Sequence, residues 1–164
     1  MANVKIMLSM LLIVSLGAMS FLRASLYESD VTLWRDAVAK SPVKYRPNNE
    51  AGDSLGKTDR LDEAIRYLER AIAINPNEPA ALNNLANIYN RQDRRGEALA
   101  LIDRALSLDP AHVPARFNLA MYYYEKGMTA EASREYVMII QLEPQSKEAD
   151  FARQMLVLMQ QRLQ

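Results

Sequence analysis

Residues 82–110 read LNNLANIYNRQDRRGEALALIDRALSLDP, and residues 115–144 read ARFNLAMYYYEKGMTAEASREYVMIIQLEP. Laid over each other they share a register of 34 residues, in which Leu85-Ala86 meets Leu119-Ala120 and Tyr89 meets Tyr123. The same step runs beyond these two segments. Pro42, Pro76, Pro110 and Pro144 are 34 apart, as are Ala37, Ala71, Ala105 and Ile139, and Trp34, Leu68, Ile102 and Tyr136. The dipeptide Glu-Ala recurs at Glu63-Ala64, Glu97-Ala98 and Glu131-Ala132. A fixed period of this length marks stacked supersecondary units that cannot bury their apolar faces alone.

Each column has a physical reading. Small residues at Ala64, Ala98 and Ala132, and at Ala86 and Ala120, let two helix axes approach closely. Tyr89 and Tyr123 fill the wider gaps between neighbouring pairs. A proline after Asn75, Asp109 and Glu143 ends each second helix, because it lacks an N–H and pushes the preceding residue out of helical geometry.

The pattern resembles the tetratricopeptide repeat, a helix–turn–helix unit of this length. Leu82, Leu85, Ala86, Tyr89, Ala98, Ile102, Ala105 and Pro110 take the motif's places in one unit. Arg116, Leu119, Ala120, Tyr123, Gly127, Ala132, Tyr136, Ile139 and Pro144 take them in the next, and the resemblance covers roughly residues 30 to 146. It implies an all-α fold, a right-handed solenoid of helix pairs with a C-terminal capping helix; an N-terminal hydrophobic helix, read from the residues themselves, is expected to precede it.

The chain divides accordingly. Residues 28–44 form a partial repeat with only its second helix, in which Trp34 reads as core. Repeats follow at 45–78, 79–112 and 113–146. The first helix of the first repeat carries Pro47, Gly52 and Gly56 and is expected to be short or frayed, since two internal glycines cost roughly 2 kcal/mol relative to alanine. Residues 147–164 make the capping helix, with Ser146 as its cap and a stripe at Ala149, Ala152, Leu156, Met159 and Leu163. That helix is expected to close the array on its C-terminal side.

The N-terminus is different. Residues 1–27 hold IMLSMLLIVSLGAMSFL, Ile6–Leu22, free of charge between Lys5 and Arg23. As a helix it reaches about 25 Å, close to a ~30 Å hydrocarbon core. An uncleaved single-pass anchor through residues 6–22 is favoured over a cleaved signal peptide, because the apolar run exceeds the usual h-region of ~7–15 residues. Ala18-Met19-Ser20 still offers a cleavage site. Either way the repeats are expected outside the cytoplasm, at the membrane or in the periplasm.

Composition narrows the function. Twenty acidic and twenty basic residues cancel, so nothing calls for nucleic acid. No cysteine and one histidine leave no thiolate or multi-histidine metal site, and no catalytic residue, cofactor site or metal site is assigned. His112 reads as a surface turn residue. Asp59, Asp62 and Glu63 read as carboxylates favouring a helix N-terminus.

The resemblance implies a concave groove lined by first helices, built here of Asn83, Asn84, Asn87, Arg91, Phe117, Asn118, Met121 and Tyr124. The first repeat adds Asn49, Glu50, Asp53 and Lys57, the second Asn90, and the third Glu125. Asn84 and Asn118 stand one repeat apart, and paired asparagines can meet a peptide main chain with donor and acceptor together. Arg46, Lys57, Arg91 and Arg116 supply the groove's cations, without the lysine–asparagine arrangement with which some family members hold a C-terminal carboxylate. Tyr124 is expected in the groove, Tyr123 in the core and Tyr122 at the flank. The expected function is an adaptor that binds a protein or peptide partner without catalysis. Alternatives are the accessory tail of a membrane glycosyltransferase system of mannosyltransferase type, suggested by TLWRDAVAKSP after an apolar segment, and a self-association module.

Overall fold

A computed structural model describes residues 30–161; the expected anchor at residues 6–22 and Leu163 lie outside them. The described residues form eight α-helices and no strand. In chain order these are α1 (Asp30–Lys40), α2 (Tyr45–Lys57), α3 (Leu61–Ile74), α4 (Pro79–Arg91), α5 (Arg95–Leu108), α6 (Val113–Glu125), α7 (Thr129–Leu142) and α8 (Lys147–Gln161). Among these helices none is long and apolar enough to cross a membrane.

The most extensive packing is within the pairs α2–α3, α4–α5 and α6–α7. Each pair then stacks on the next, and the first helices touch along one face: α2 on α4, α4 on α6, α6 on α8. The alanine columns are the reason. Ala64, Ala86, Ala98, Ala120 and Ala132 are completely buried, beside Leu68, Ile102 and Tyr136 of the second helices.

Two kinds of turn alternate. Within a pair, the chain reverses on one residue with positive φ: Asp59 (64°), Asp93 (59°) and Gly127 (72°), 34 residues apart. Each closes the same hydrogen-bond pair. In the second unit, Arg94 N–H donates to Tyr89 C=O at 2.9 Å and Asp93 N–H to Asn90 C=O at 3.0 Å, a Schellman closure. Between pairs, Asn75, Asp109 and Glu143 are drawn out to ψ of 94°, 95° and 72° before the periodic proline, and each still donates its N–H to the last helical turn.

Three expectations need correction. First, α2 is neither short nor frayed; its 13 residues equal those of α4 and α6. Pro47 sits in the first turn, where its missing N–H costs nothing. Gly52 occupies the column of Ala86 and Ala120, and a Cβ there would lie 2.5 Å from Leu68 Cγ. The glycine is what lets α2 seat on α3, so packing outweighs propensity. Second, Trp34 is only half-buried, whereas Leu68, Ile102 and Tyr136 in its column are closed off. α1 buries Val31 and Val38, one residue round the helix, because its packing partner among the described residues is α2 of the next unit. Third, the capping helix buries Met155 with Ala149, Ala152 and Met159, while Leu156 is only partly covered. Its cap is Ser146, whose Oγ accepts the Ala149 N–H at 3.1 Å.

Candidate peptide groove

The first helices present α2, α4, α6 and α8 side by side, and their outward residues enclose three adjoining hollows. One, of about 210 Å³, lies over α2 and α4 and is lined by Asp53, Lys57, Asn84, Asn87 and Arg91. A second, about 350 Å³, lies between α4 and α6 among Asn90, Arg95, Met121, Tyr122 and Glu125. A third, about 380 Å³, opens between α4, α6 and α8, with Asn83, Pro114, Phe117, Lys147, Glu148 and Phe151 on its walls. Asn87 lines all three, and Asn118 lines the second and third.

The asparagines of this face are bonded to one another. Asn84 Nδ2 donates to Asn49 Oδ1 at 3.1 Å, and Asn118 Nδ2 donates to Asn83 Oδ1 at 2.7 Å, the same step of 35 residues taken twice. Asn118 Nδ2 also donates to Asn87 Oδ1 at 2.7 Å. Asn49 and Asn83, read from sequence as exposed, are therefore buried, 6% and 4% exposed, under the neighbouring first helix. Both N–H groups of Asn118 are engaged, so this residue does not serve a peptide bidentately by itself. Its Oδ1 and the Nδ2 of exposed Asn87, both residues lining the groove, take no part in these bonds. That leaves one acceptor and one donor on adjacent side chains, the complement of the N–H and C=O of one residue of an extended chain, which point the same way.

The groove cations are largely paired. Arg91 donates to the Gly56 carbonyl and, at 2.7 Å, to Asp59, bridging consecutive units. Arg95 bonds Glu125 of the next unit and Asp93 of its own. Lys57 holds Asp53 at 2.7 Å. Arg116 does not contribute to the groove. Its guanidinium crosses to Glu135 on α7 at 2.5 Å, with both side chains under 20% exposed, and to the Pro110 carbonyl.

The aromatic residues are distributed differently from the sequence reading. Tyr122 lines the second hollow, while Tyr124 packs with Tyr123 against the C-terminal apolar cluster. Met121 lines the second hollow too, and its Sδ accepts the Tyr136 hydroxyl at 3.3 Å. Phe117 meets the ring of Phe151 edge-on, centroids 5.2 Å apart. Phe151 and Lys147 were not anticipated. The signal existed, because Phe151 continues the column Asn49, Asn83, Phe117 by one more step of 34.

His112 is more than a turn residue. It is the N-cap of α6, with Nδ1 accepting the Ala115 N–H at 3.2 Å. Burial holds its pKa below the ordinary value, against the smaller opposing pull of Asp109 and Glu78.

Comparison with known proteins agrees with this architecture. Solved structures similar to the chain include the first TPR of Spaghetti (RPAP3) bound to HSP90 peptide SRMEEVD, at 24% identity over 73% of this chain and 93% of that one, with a TM-score of 0.64. The Arabidopsis OM64 TPR domain aligns at 21% identity over 68% and 93%, TM-score 0.62. MamA aligns at 16% identity over 79% and 78%, TM-score 0.60. These likenesses show the fold. Curated proteins gave no sequence match. Two family models, each of the tetratricopeptide repeat, match residues 49–113 and 85–157, and between them take in every repeat column described above from α2 to α8. The chain belongs to the tetratricopeptide repeat family.

Proposed function

We propose that the protein is a membrane-presented adaptor that binds an extended segment of a partner protein along the face of α2, α4, α6 and α8, without chemistry of its own. The observation that carries this reading is the Asn87–Asn118 pair at the junction of the three hollows. An extended peptide repeats its main-chain groups about every 3.3 Å, so a fixed donor and acceptor facing one way can hold it whatever its side chains. The Spaghetti domain, solved with a peptide, lends support to a peptide as the class of ligand. The charge-free stretch Ile6–Leu22 supports anchoring, with the repeats held outside the cytoplasm.

A photo-crosslinking side chain placed at Asn90, inside the groove, and separately at Glu69, on the far side of α3, tests this in intact cells. A discrete adduct from the Asn90 position, weakened when Asn118 is replaced by alanine, is the expected result. Loss of one such hydrogen-bonding group costs roughly 1–3 kcal/mol of affinity. Adducts from Glu69 alone would place the partner on the other face and overturn the reading.

A further inference from the structure

The third hollow is unlike the other two, and its walls specify what it takes. One side is polar: Asn83, Asn87 and Asn118, joined by hydrogen bonds. The other is apolar: Pro114, Phe117 and Phe151. Phe151 is 36% exposed although its ring is fixed between Phe117 at 5.2 Å and Tyr136 at 6.4 Å. A large aromatic surface kept open on a rigid helix is an anchor point of the kind that dominates interfaces. At about 380 Å³ the space falls at the lower end of ligand hollows, roughly 300–1,000 Å³, enough for one large side chain and its main chain.

Charge decides the rest. A peptide ending in a carboxylate, or rich in acid, needs cations that are not already spent. Lys57, Arg91 and Arg95 are each held by carboxylates of this chain, Arg116 is turned onto α7, Arg46 lines none of the three hollows, and Lys147 and Glu148 bring one charge of each sign to the third, with no net preference. A strongly basic segment fares no better, since Asp53, Asp59 and Glu125 are occupied by the same pairs.

Resting on the groove reading above, we propose that the partner is recognised through an uncharged, internal segment. One large apolar side chain of that segment lies against Phe117 and Phe151, and the main-chain N–H and C=O of an adjoining residue bond Asn118 and Asn87. The two functions separate cleanly: the asparagines hold any main chain, and the two rings choose the side chain.

The test uses the full chain and a randomised nonapeptide library displayed between flanking fusion sequences, so that neither peptide terminus is free. Selected peptides are then made in acetylated and amidated form and measured by fluorescence anisotropy. Selection is expected to fix one Leu, Ile, Met, Phe or Trp in a neutral context. Changing that residue to Ser should cost at least tenfold against the native protein but less than twofold against Phe151→Ala or Phe117→Ala. Asn118→Ala should weaken the parent and Ser peptides by the same factor. Melting temperatures of the two phenylalanine variants, expected within a few degrees of the native protein's, guard against a folding defect. If binders emerge but their apolar preference survives both phenylalanine variants, or if they share an acidic or C-terminal signature, this inference fails and the groove reading stands. If no peptide binds at all, both fail.

Discussion

Gly52 offers the sharpest test of how the first unit is built. Replacing it with alanine puts a Cβ 2.5 Å from Leu68 Cγ, 2.9 Å from Leu68 Cδ2 and 3.2 Å from the Ala64 carbonyl oxygen. Carbon atoms rest about 3.5–4.0 Å apart, so Leu68 would have to retreat by about 1 Å. It has nowhere to go, since Leu68 and Ala64 are both completely buried. Overpacking of this kind costs about 1–3 kcal/mol, while a helical Gly→Ala exchange returns about 1 kcal/mol. The net expectation is a loss of about 0–2 kcal/mol, where helix propensity alone predicts a gain.

Because those two terms partly cancel, the decisive quantity is the coupling with Leu68. Leu68→Ala alone should cost about 2–5 kcal/mol through the cavity it leaves. In the double variant the new methyl enters that cavity, so the two changes should fall short of additivity by about 1–3 kcal/mol. Chemical unfolding of the four proteins measures this directly, with about 3–5 °C of melting temperature per kcal/mol as a cross-check. Gly96→Ala is the reference, for nothing lies within 4 Å of its would-be Cβ. Additive changes, or a Gly52→Ala that stabilises as Gly96→Ala does, would refute the close approach of α2 and α3.

Three further outcomes are expected. Asp93, at φ 59° without the freedom of glycine, should gain about 0.5–1 kcal/mol on replacement by Gly, less the small worth of its exposed pair with Arg95; Gly127→Ala, at φ 72°, should lose a similar amount; thermal unfolding reads both. His112 caps α6 in its neutral form with a lowered pKa, so the unfolded chain takes up the proton first: stability is complete above about pH 6.5 and falls as pH drops below it, and His112→Asn should abolish that slope between pH 7.5 and 5 in urea titrations. Alkaline carbonate should leave the full chain in the membrane pellet with Met1 or Ala2 at its N-terminus, whereas a mature chain starting near Phe21 would replace the anchor by a cleaved signal.

Which parts of this molecule can be read from its sequence follows from how local each determinant is. The solenoid is legible because a single 34-residue step governs several columns at once, and each column has one cause, such as a proline that cannot continue a helix or an alanine where axes cross. The positive-φ turn was harder to see. Asp59 and Asp93 stand where only the third unit keeps the glycine, and aspartate reaches that conformation without announcing it. Gly52 misled in the opposite direction. Helix propensity counts a glycine against its own helix, yet here its missing side chain is filled by Leu68, sixteen residues away on the partner helix.

The groove shows the same division between position and partnership. Its residues could be placed from the repeat register, and Asn87, Asn118, Phe117 and Met121 do line its hollows. Their state could not, because it depends on side chains some 35 residues away. Asn118 spends both its N–H groups on Asn83 and Asn87, and Arg116 leaves the face for Glu135. A row of like residues therefore differs in what each still has to offer a ligand. Asn118 retains an acceptor and Asn87 a donor, so it is the pair, and not either residue, that reads the N–H and C=O of one extended residue. It follows that replacing either member should disable the same contact, and that replacing both should cost little more than replacing one.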